Sequence, residues 1–372
     1  MTSRNMKKAS RPTRTGNMFT DGYYHLWEDL IKYPDCWCYI VWSRRGPGKT
    51  YSSLWESYQH KIKPIYMKRT IDDVDLICST NGEGFDPSPY APINRDKGTN
   101  IKPVKIKPGI GVFYQFVEGS PDGEPVAYIL AMNAIKKFKG FDFSECDWII
   151  FDEFIPQLGE RTSAGNKEGQ LLLDLYMTVA RDRQKRGKAP LKLILFANAE
   201  EISTPVTNEL EVTDSMAVMQ ATGRKYILMD RGILLHHITE EEFPLSEKEK
   251  TGIYKGMEGT AWHDKAFGGS FANNDFSNIQ HRSIKGYRCM VHLTYKRQDW
   301  YIWRRPRDGQ YHVTNIPGKF LFSYNLNLEN DQKNYWISKG VDLRLACIQG
   351  MMTFETYTMY DIMINFKKFF VI

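Results

Sequence analysis

Ser43-Arg44-Arg45-Gly46-Pro47-Gly48-Lys49-Thr50 follows the apolar run Cys38-Tyr39-Ile40-Val41-Trp42 and opens a segment, Tyr51 to Lys61, of helical character. A buried strand, a glycine loop and a helix in that order constrain the fold more than any other stretch of the chain. Closely spaced glycines let backbone N–H groups converge on phosphate oxygens, and the helix N-terminus adds the positive end of its dipole. The stretch fits the pattern G-x-x-x-x-G-K-[ST]: Arg45, Gly46 and Gly48 line the loop, Lys49 reaches the β- and γ-phosphates, and Thr50 holds Mg²⁺. Ser43 replaces the first glycine, a departure that could alter the loop without removing phosphate contacts. The bland alternative is a glycine-rich turn that binds nothing.

The 372 residues suggest two domains, and 42% apolar content supplies real cores and excludes global disorder. The net charge of +6 is unevenly placed. Residues 1–20 carry five Lys/Arg and no carboxylate, and from Lys285 onward thirteen Lys/Arg face seven Asp/Glu. An acidic body between basic ends suits a polyanionic partner, although a solvated surface and a flexible tail explain the same pattern. The six cysteines form no C-x-x-C pair and read as reduced thiols of an intracellular protein. The polar N-terminus is not a signal peptide, and no run of about eighteen apolar residues predicts a membrane span.

Four regions follow: a basic flexible tail over 1–20, a P-loop domain over 21–230, a linker over 231–285 and a C-terminal domain over 286–372. The first domain reads as α/β with a parallel sheet, because apolar strands alternate with helices. Helices are predicted over Asp21–Lys32 and Glu168–Arg183, and strands over Pro64–Met67, Asp147–Phe151 and Leu191–Phe196. Residues 79–109 read as a long loop, and a hairpin over Gly111–Met132 is predicted to turn at Ser120-Pro121-Asp122-Gly123-Glu124-Pro125. The C-terminal domain is predicted to hold strands Tyr287–Tyr295, Trp300–Arg305, Gln310–Thr314 and Lys319–Tyr324, then helical segments near Asn330 and from Val341 to the end.

Ile149-Ile150-Phe151-Asp152-Glu153 delivers Asp then Glu at the end of a buried strand. Asp152 would organise the Mg²⁺ shell, and Glu153 would orient and activate the attacking water, which points to hydrolysis. Asn166-Lys167-Glu168-Gly169 lacks the Asp of a guanine-reading N-K-x-D pattern. Asn198 ends the buried run Leu193–Ala197, where it can sense the γ-phosphate or cap the next turn. Arg181 and Arg183 close the helix between those strands; either can act on a neighbouring subunit's nucleotide, or simply favour a helix C-terminus. Lys136, Lys137 and Lys139 flank Phe138 and can meet DNA phosphates, a neighbour's nucleotide or only water. Lys296-Arg297 and the cluster Arg304, Arg305 and Arg307, with Trp300, Tyr301 and Trp303 between them, can grip a phosphate backbone. The eight histidines show no metal spacing.

Together the arginine-bearing loop, Ile150-Phe151-Asp152-Glu153-Phe154, Thr178-Val179-Ala180-Arg181-Asp182-Arg183 and Ala197-Asn198-Ala199 resemble the DNA-packaging ATPases of φ29-like tailed phages, relatives of the large terminases. The run Val341-Asp342-Leu343-Arg344-Leu345-Ala346-Cys347 is more loosely similar. The resemblance implies an ASCE-type ATPase domain using ATP and Mg²⁺, a small linker and an RNase H-like C-terminal domain. It implies translocation of double-stranded DNA into a preformed capsid by a homo-oligomeric ring on the portal, pentameric in the type member, with a packaging RNA between portal and ATPase. The expected location is the host cytoplasm, transiently at the portal vertex. Arg181 matches the family's trans-acting arginine, and Lys139 a lysine near the subunit interface. A terminase nuclease needs clustered carboxylates for two metals; Met290–Thr294 carries none and Asp299 is predicted in a turn, so no nuclease is expected. Another ASCE nucleic-acid motor, such as a replication helicase, is the alternative. A non-hydrolysing nucleotide switch is disfavoured by Glu153.

Overall fold

A computed structural model describes residues 22–79, 86–138, 141–157, 165–244, 252–260, 263, 271, 274–370 and 372. The basic tail and Lys139 lie outside the described residues, as do the side chains of Lys136 and Lys137.

The first sheet has nine strands in the order β3-β4-β5-β2-β6-β7-β1-β9-β8. They are β1 (Cys38–Ser43), β2 (Pro64–Lys68), β3 (Ile101–Lys107), β4 (Ile110–Val117), β5 (Ser120–Ala131), β6 (Trp148–Phe151), β7 (Lys192–Asn198), β8 (Tyr226–Met229) and β9 (Ile233–His237). From β5 through β2, β6, β7 and β1 to β9 every pairing is parallel. Strands β1 and β6 are buried at every residue, which is why they read as unbroken apolar runs rather than alternating ones. Strand β7 lies between the P-loop strand and β6, so the residues closing β6 and β7 stand beside the loop.

Several details differ from the sequence reading. The sheet does not stop at residue 230, since β9 pairs with β1 through Cys38↔Ile233 to Trp42↔His237. Residues 79–109 are not one loop: they include the helix Ala91–Lys97 and β3. The hairpin turns at Glu118-Gly119, both left-handed at φ 50° and 85°, the twist-matched geometry of a two-residue turn. The Pro- and Gly-rich run is inside β5. Ala127 pairs with Phe113 and Asp122 with Gln115, so residues 123–126 loop out as a bulge. Helix α1 spans Leu26–Lys32, shorter than predicted, and α2 spans Lys49–Gln59, starting at the loop lysine itself; α3 (Ile71–Ile77), α4 (Ala91–Lys97) and α5 (Glu168–Ala180) follow.

The C-terminal unit is a mixed five-stranded sheet, β13-β10-β11-β12-β14. Strands β10 (Arg288–Tyr295), β11 (Gln298–Arg304) and β12 (Tyr311–Thr314) form an antiparallel meander, β13 (Phe322–Asn325) runs parallel to β10, and β14 (Met352–Phe354) parallel to β12. Strand β14 interrupts the predicted terminal helix, leaving Val341–Ile348, Tyr357–Ile364 and Phe366–Phe369 helical. Asp299 is in β11 rather than a turn, opposite Thr294, and accepts from the Thr294 hydroxyl and pairs with His292 Nε2, both at 2.9 Å. Among the described residues no helix is long and apolar enough to cross a membrane.

The hairpin tip joins the two units. Lys296 binds the Asn208 carbonyl and Glu209, and Arg297 pairs with Glu211 at 2.6 Å. Lys296-Arg297 is therefore engaged with the first unit rather than offered to a nucleic acid. Asp214 accepts the Thr358 N–H at 2.8 Å, and Lys368 pairs with Glu201.

A buried charge cluster ties β9 to α1. His236, fully buried, lies 2.7 Å from Asp29 and 3.8 Å from Glu242, with Tyr24 and Tyr226 packed against it. Burial alone would lower its pKa, but Asp29 and then Glu242 outweigh that and raise it to about 9. A raised folded pKa gives stability that is complete below the unfolded value of about 6.5 and is lost as pH climbs through the folded value, on the order of 3 kcal/mol here. The melting temperature should therefore fall between pH 6.5 and 9, and His236→Gln should be less stable at pH 6.5 with that slope removed. Differential scanning fluorimetry across pH reads both; an unchanged slope in the variant would exclude His236 as its source.

Candidate nucleotide site

The loop after β1 is held from both sides. The Tyr24 N–H donates to the Pro47 carbonyl at 2.8 Å and the Leu26 N–H to Ser52 Oγ at 2.9 Å. Gly46 and Gly48 adopt φ of 103° and 86°, the left-handed region that favours glycine. Gly48 is constrained twice, because a Cβ there would sit 3.2 Å from the Tyr23 ring. Ser43 still belongs to β1, paired with Asn198, and has no positive φ. Its backbone therefore needs no glycine, which explains the departure from the pattern. The Ser43 hydroxyl accepts from Lys49 Nζ at 2.5 Å and donates to the Arg44 carbonyl at 2.5 Å.

The arginine pair divides its work. Arg44 is buried, 4.5 Å over the Phe243 ring and hydrogen-bonded to the Phe243 carbonyl. Arg45 is exposed and lines the cavity. That cavity, about 450 Å³, is walled by Arg45 to Tyr51, by Ser88, Pro89 and Pro92, by Asp152 and Glu153, and by Ala197 and Asn198. It is large enough for a small ligand. The structure thus brings Arg45, Gly46, Gly48, Lys49, Thr50, Asp152, Glu153 and Asn198 together.

Hard oxygen donors and cations alternate around it. Thr50 Oγ1 donates to Asp152 Oδ2 at 2.9 Å, and the Tyr66 hydroxyl donates to the same oxygen at 2.9 Å. Hydroxyl and carboxylate oxygens are the donors Mg²⁺ takes alongside phosphates, so Thr50 and Asp152 fit that ion. Burial lowers the Lys49 pKa to about 8, although Asp152 and Glu153 oppose the shift. Glu153 is half-exposed, with Lys68 Nζ 3.2 Å away; Lys68 is also 3.7 Å from Asp152. Burial pulls the Lys68 pKa down, but the two carboxylates outweigh it and hold it above the usual value.

Lys68, Tyr66, Arg69 and Glu168 had no role in the sequence reading. Arg69 is buried, ion-paired to fully buried Glu168, and donates to the Glu153 and Phe154 carbonyls. Their signal was the position of Lys68-Arg69 at the carboxyl end of β2, where parallel sheets bind ligands. It becomes readable only once β2 is known to neighbour β6.

The two helix-end arginines separate. Helix α5 spans Glu168–Ala180, so Arg181 and Arg183 follow it rather than end it. Arg183 is buried, bonded to the Cys146 and Ala189 carbonyls and paired with Asp147 at 2.6 Å. Arg181 is exposed and does not line the cavity. Helix α5 starts beside the Glu153 turn and runs about 20 Å to its other end, at the amino ends of the strands. Arg181 is therefore remote from its own chain's cavity. Of the C-terminal candidates, Arg305 pairs with Asp308 at 2.7 Å and Arg304 lies 5.9 Å over Tyr311, while Arg307 is exposed.

No family model matches the sequence, and no curated protein does. Two solved structures resemble the whole chain. The Phi-28 gp11 DNA packaging motor superimposes with a TM-score of 0.59 at 15% identity, over 96% of this chain and 99% of that one. The bacteriophage Phi-29 viral genome packaging motor assembly gives a TM-score of 0.60 at 16% identity, over 93% and 99%. This chain has their fold. The agreement runs through both units, the nucleotide-site sheet and the mixed C-terminal sheet.

Arg183→Ala should cost about 2 kcal/mol of unfolding free energy, because it leaves carbonyls and Asp147 unpaired at a buried site. Arg181→Ala should stay within about 0.5 kcal/mol of the parent, as exposed changes do. Urea denaturation of the two variants compares them directly; equal losses would contradict this division.

Proposed function

We propose that the protein is an ATP-hydrolysing translocase that drives double-stranded DNA of a viral genome into a preformed capsid. One observation carries the reading: Lys49, Thr50, Asp152, Glu153 and Asn198 line one cavity in a chain that shares the fold of phage packaging motors along nearly its whole length.

Lys49 leaves Ser43 and neutralises the β- and γ-phosphates, with the loop N–H groups of Gly46 and Gly48 cradling them and Arg45 at the rim. Thr50 and Asp152 would hold Mg²⁺, which would supply charge withdrawal from the phosphate oxygens. Glu153 accepts a proton from the attacking water, its carboxylate held by Lys68 beside the phosphate end of the cavity. Asn198 senses the γ-phosphate next to Ser43. Arg181, exposed and far from its own cavity, acts on the neighbouring subunit's nucleotide, so the working form is a homo-oligomeric ring, pentameric by resemblance. The ring sits on the capsid portal in the host cytoplasm, with a packaging RNA between them. Arg305 is the weaker DNA contact of the cluster, because Asp308 already neutralises it. Arg304 and Arg307 remain the C-terminal contacts, and Lys136, Lys137 and Lys139 those of the ATPase domain. We propose no nuclease activity, supported by a β10 without carboxylates and by the engagement of Asp299 with His292 and Thr294.

Glu153→Gln should abolish DNA-stimulated ATP turnover, by about 10²-fold or more, while leaving ATP affinity near that of the parent. Turnover at the parental rate would remove Glu153 from the mechanism. Turnover that depends on capsids supports packaging, whereas unwinding of forked duplex without capsids selects a helicase. Mixing Lys49→Ala with Arg181→Ala protein should recover part of the ATPase at mixed interfaces. Absence of recovery, with both variants assembled, would count against the trans arginine.

A further inference from the structure

We infer that the buried Arg69–Glu168 pair is a positioning device. It sets the backbone turn that aims Glu153 and fastens that turn to the helix that Arg181 directly follows. The inference rests on the reading of Glu153 as the base that activates water.

Glu153 has a φ of 56°. A non-glycine residue rarely adopts this backbone conformation and keeps it only where surrounding structure over-determines it. The surroundings here are specific. Immediately after the turn, the Phe154 N–H donates to the Phe196 carbonyl of β7 at 3.0 Å. The two carbonyls of the turn, those of Glu153 and Phe154, both accept from Arg69 Nη2, at 2.8 and 2.9 Å. Arg69 Nη1 pairs with Glu168, and its guanidinium carbon lies 5.5 Å over the Phe151 ring. One planar fork therefore serves three oxygens from two elements, with Arg69 3% exposed and Glu168 0%. An ammonium cannot reproduce that geometry.

Stability alone is a weak reason for such a pair. Buried ion pairs are often replaced by apolar residues of similar volume without loss of stability, because desolvation offsets their attraction. Their location here is more informative. Arg69 follows the end of β2, the strand beside β6, and Glu168 is the first residue of α5. The pair thus bridges the Glu153 turn to the element whose far end presents Arg181. Removing it frees the turn, and the Glu153 carboxylate loses its fixed direction without any change in the phosphate loop.

The test uses the full chain and three readouts: kcat and KM for ATP, affinity for a non-hydrolysable ATP analogue, and the melting temperature. Arg69→Lys should bind the analogue within about threefold of the parent while kcat falls by about 10²-fold, the scale set by a misplaced catalytic group. The double variant Arg69→Met/Glu168→Met should match or exceed the parental melting temperature yet keep the kcat defect. A double variant that turns over within about twofold of the parent overturns the inference. So does an Arg69→Lys protein with normal kcat, which decides the matter if the double variant does not fold. An inactive parent, or a Glu153→Gln protein that turns over normally, sinks the reading of Glu153 and this inference with it.

Discussion

Burial of five parallel strands on both faces is the constraint from which the rest of this structure follows. Along their lengths β2, β6, β7, β1 and β9 carry mostly apolar side chains, since a charge there would lack water and a partner. Chemistry is displaced to the carboxyl ends, which all point the same way. The glycine loop leaves β1, Lys68 ends β2 with Arg69 directly after it, Asp152 and Glu153 follow β6, and Asn198 closes β7. The ends of β1, β6 and β7 thus line one cavity from segments spread across more than half of the first unit's sequence, and Lys68 pairs with its two carboxylates.

Charge balance then explains the residues around it. Lys49, Lys68 and Arg69 face Asp152, Glu153 and Glu168, and each cation has a different task. Lys49 rests on the Ser43 hydroxyl and the Arg44 carbonyl. Lys68 holds two carboxylates, while Arg69 binds backbone oxygens and a buried carboxylate. The same geometry separates Arg181 from the cavity, because α5 carries it toward the opposite end of the sheet. The C-terminal unit docks on the chain that follows Asn198, through Glu201, Asn208, Glu209, Glu211 and Asp214. Asn198 and the C-terminal unit are therefore joined by a short, well-bonded stretch of backbone.

Local patterns carried much of this. The strand–loop–helix layout at Cys38 to Gln59 is legible because glycine spacing and an apolar run each have a direct backbone meaning. The buried runs at β6 and β7 are legible for the same reason. Elements whose signal is not local were misread. Ser120 to Pro125 has the composition of a turn, but the turn was decided by the left-handed pair Glu118-Gly119, and β5 absorbed the run as a bulge. The terminal helix was predicted unbroken because β14 is only three residues long and forms by pairing with β12.

By itself the sequence determined the local pieces of the site: a glycine-rich loop between a buried strand and a helix, an Asp–Glu pair after a buried strand and a polar residue closing another, each set by neighbours a few positions away. Only the tertiary structure decided which groups meet. It gave Ser43 a hydrogen-bonding role and split Arg44 from Arg45. It buried Arg183 while exposing Arg181, and assembled Arg69 with Glu168 and His236 with Asp29. Those pairings join residues 36, 99 and 207 positions apart, and strand order, which no local pattern encodes, is what brings them into contact.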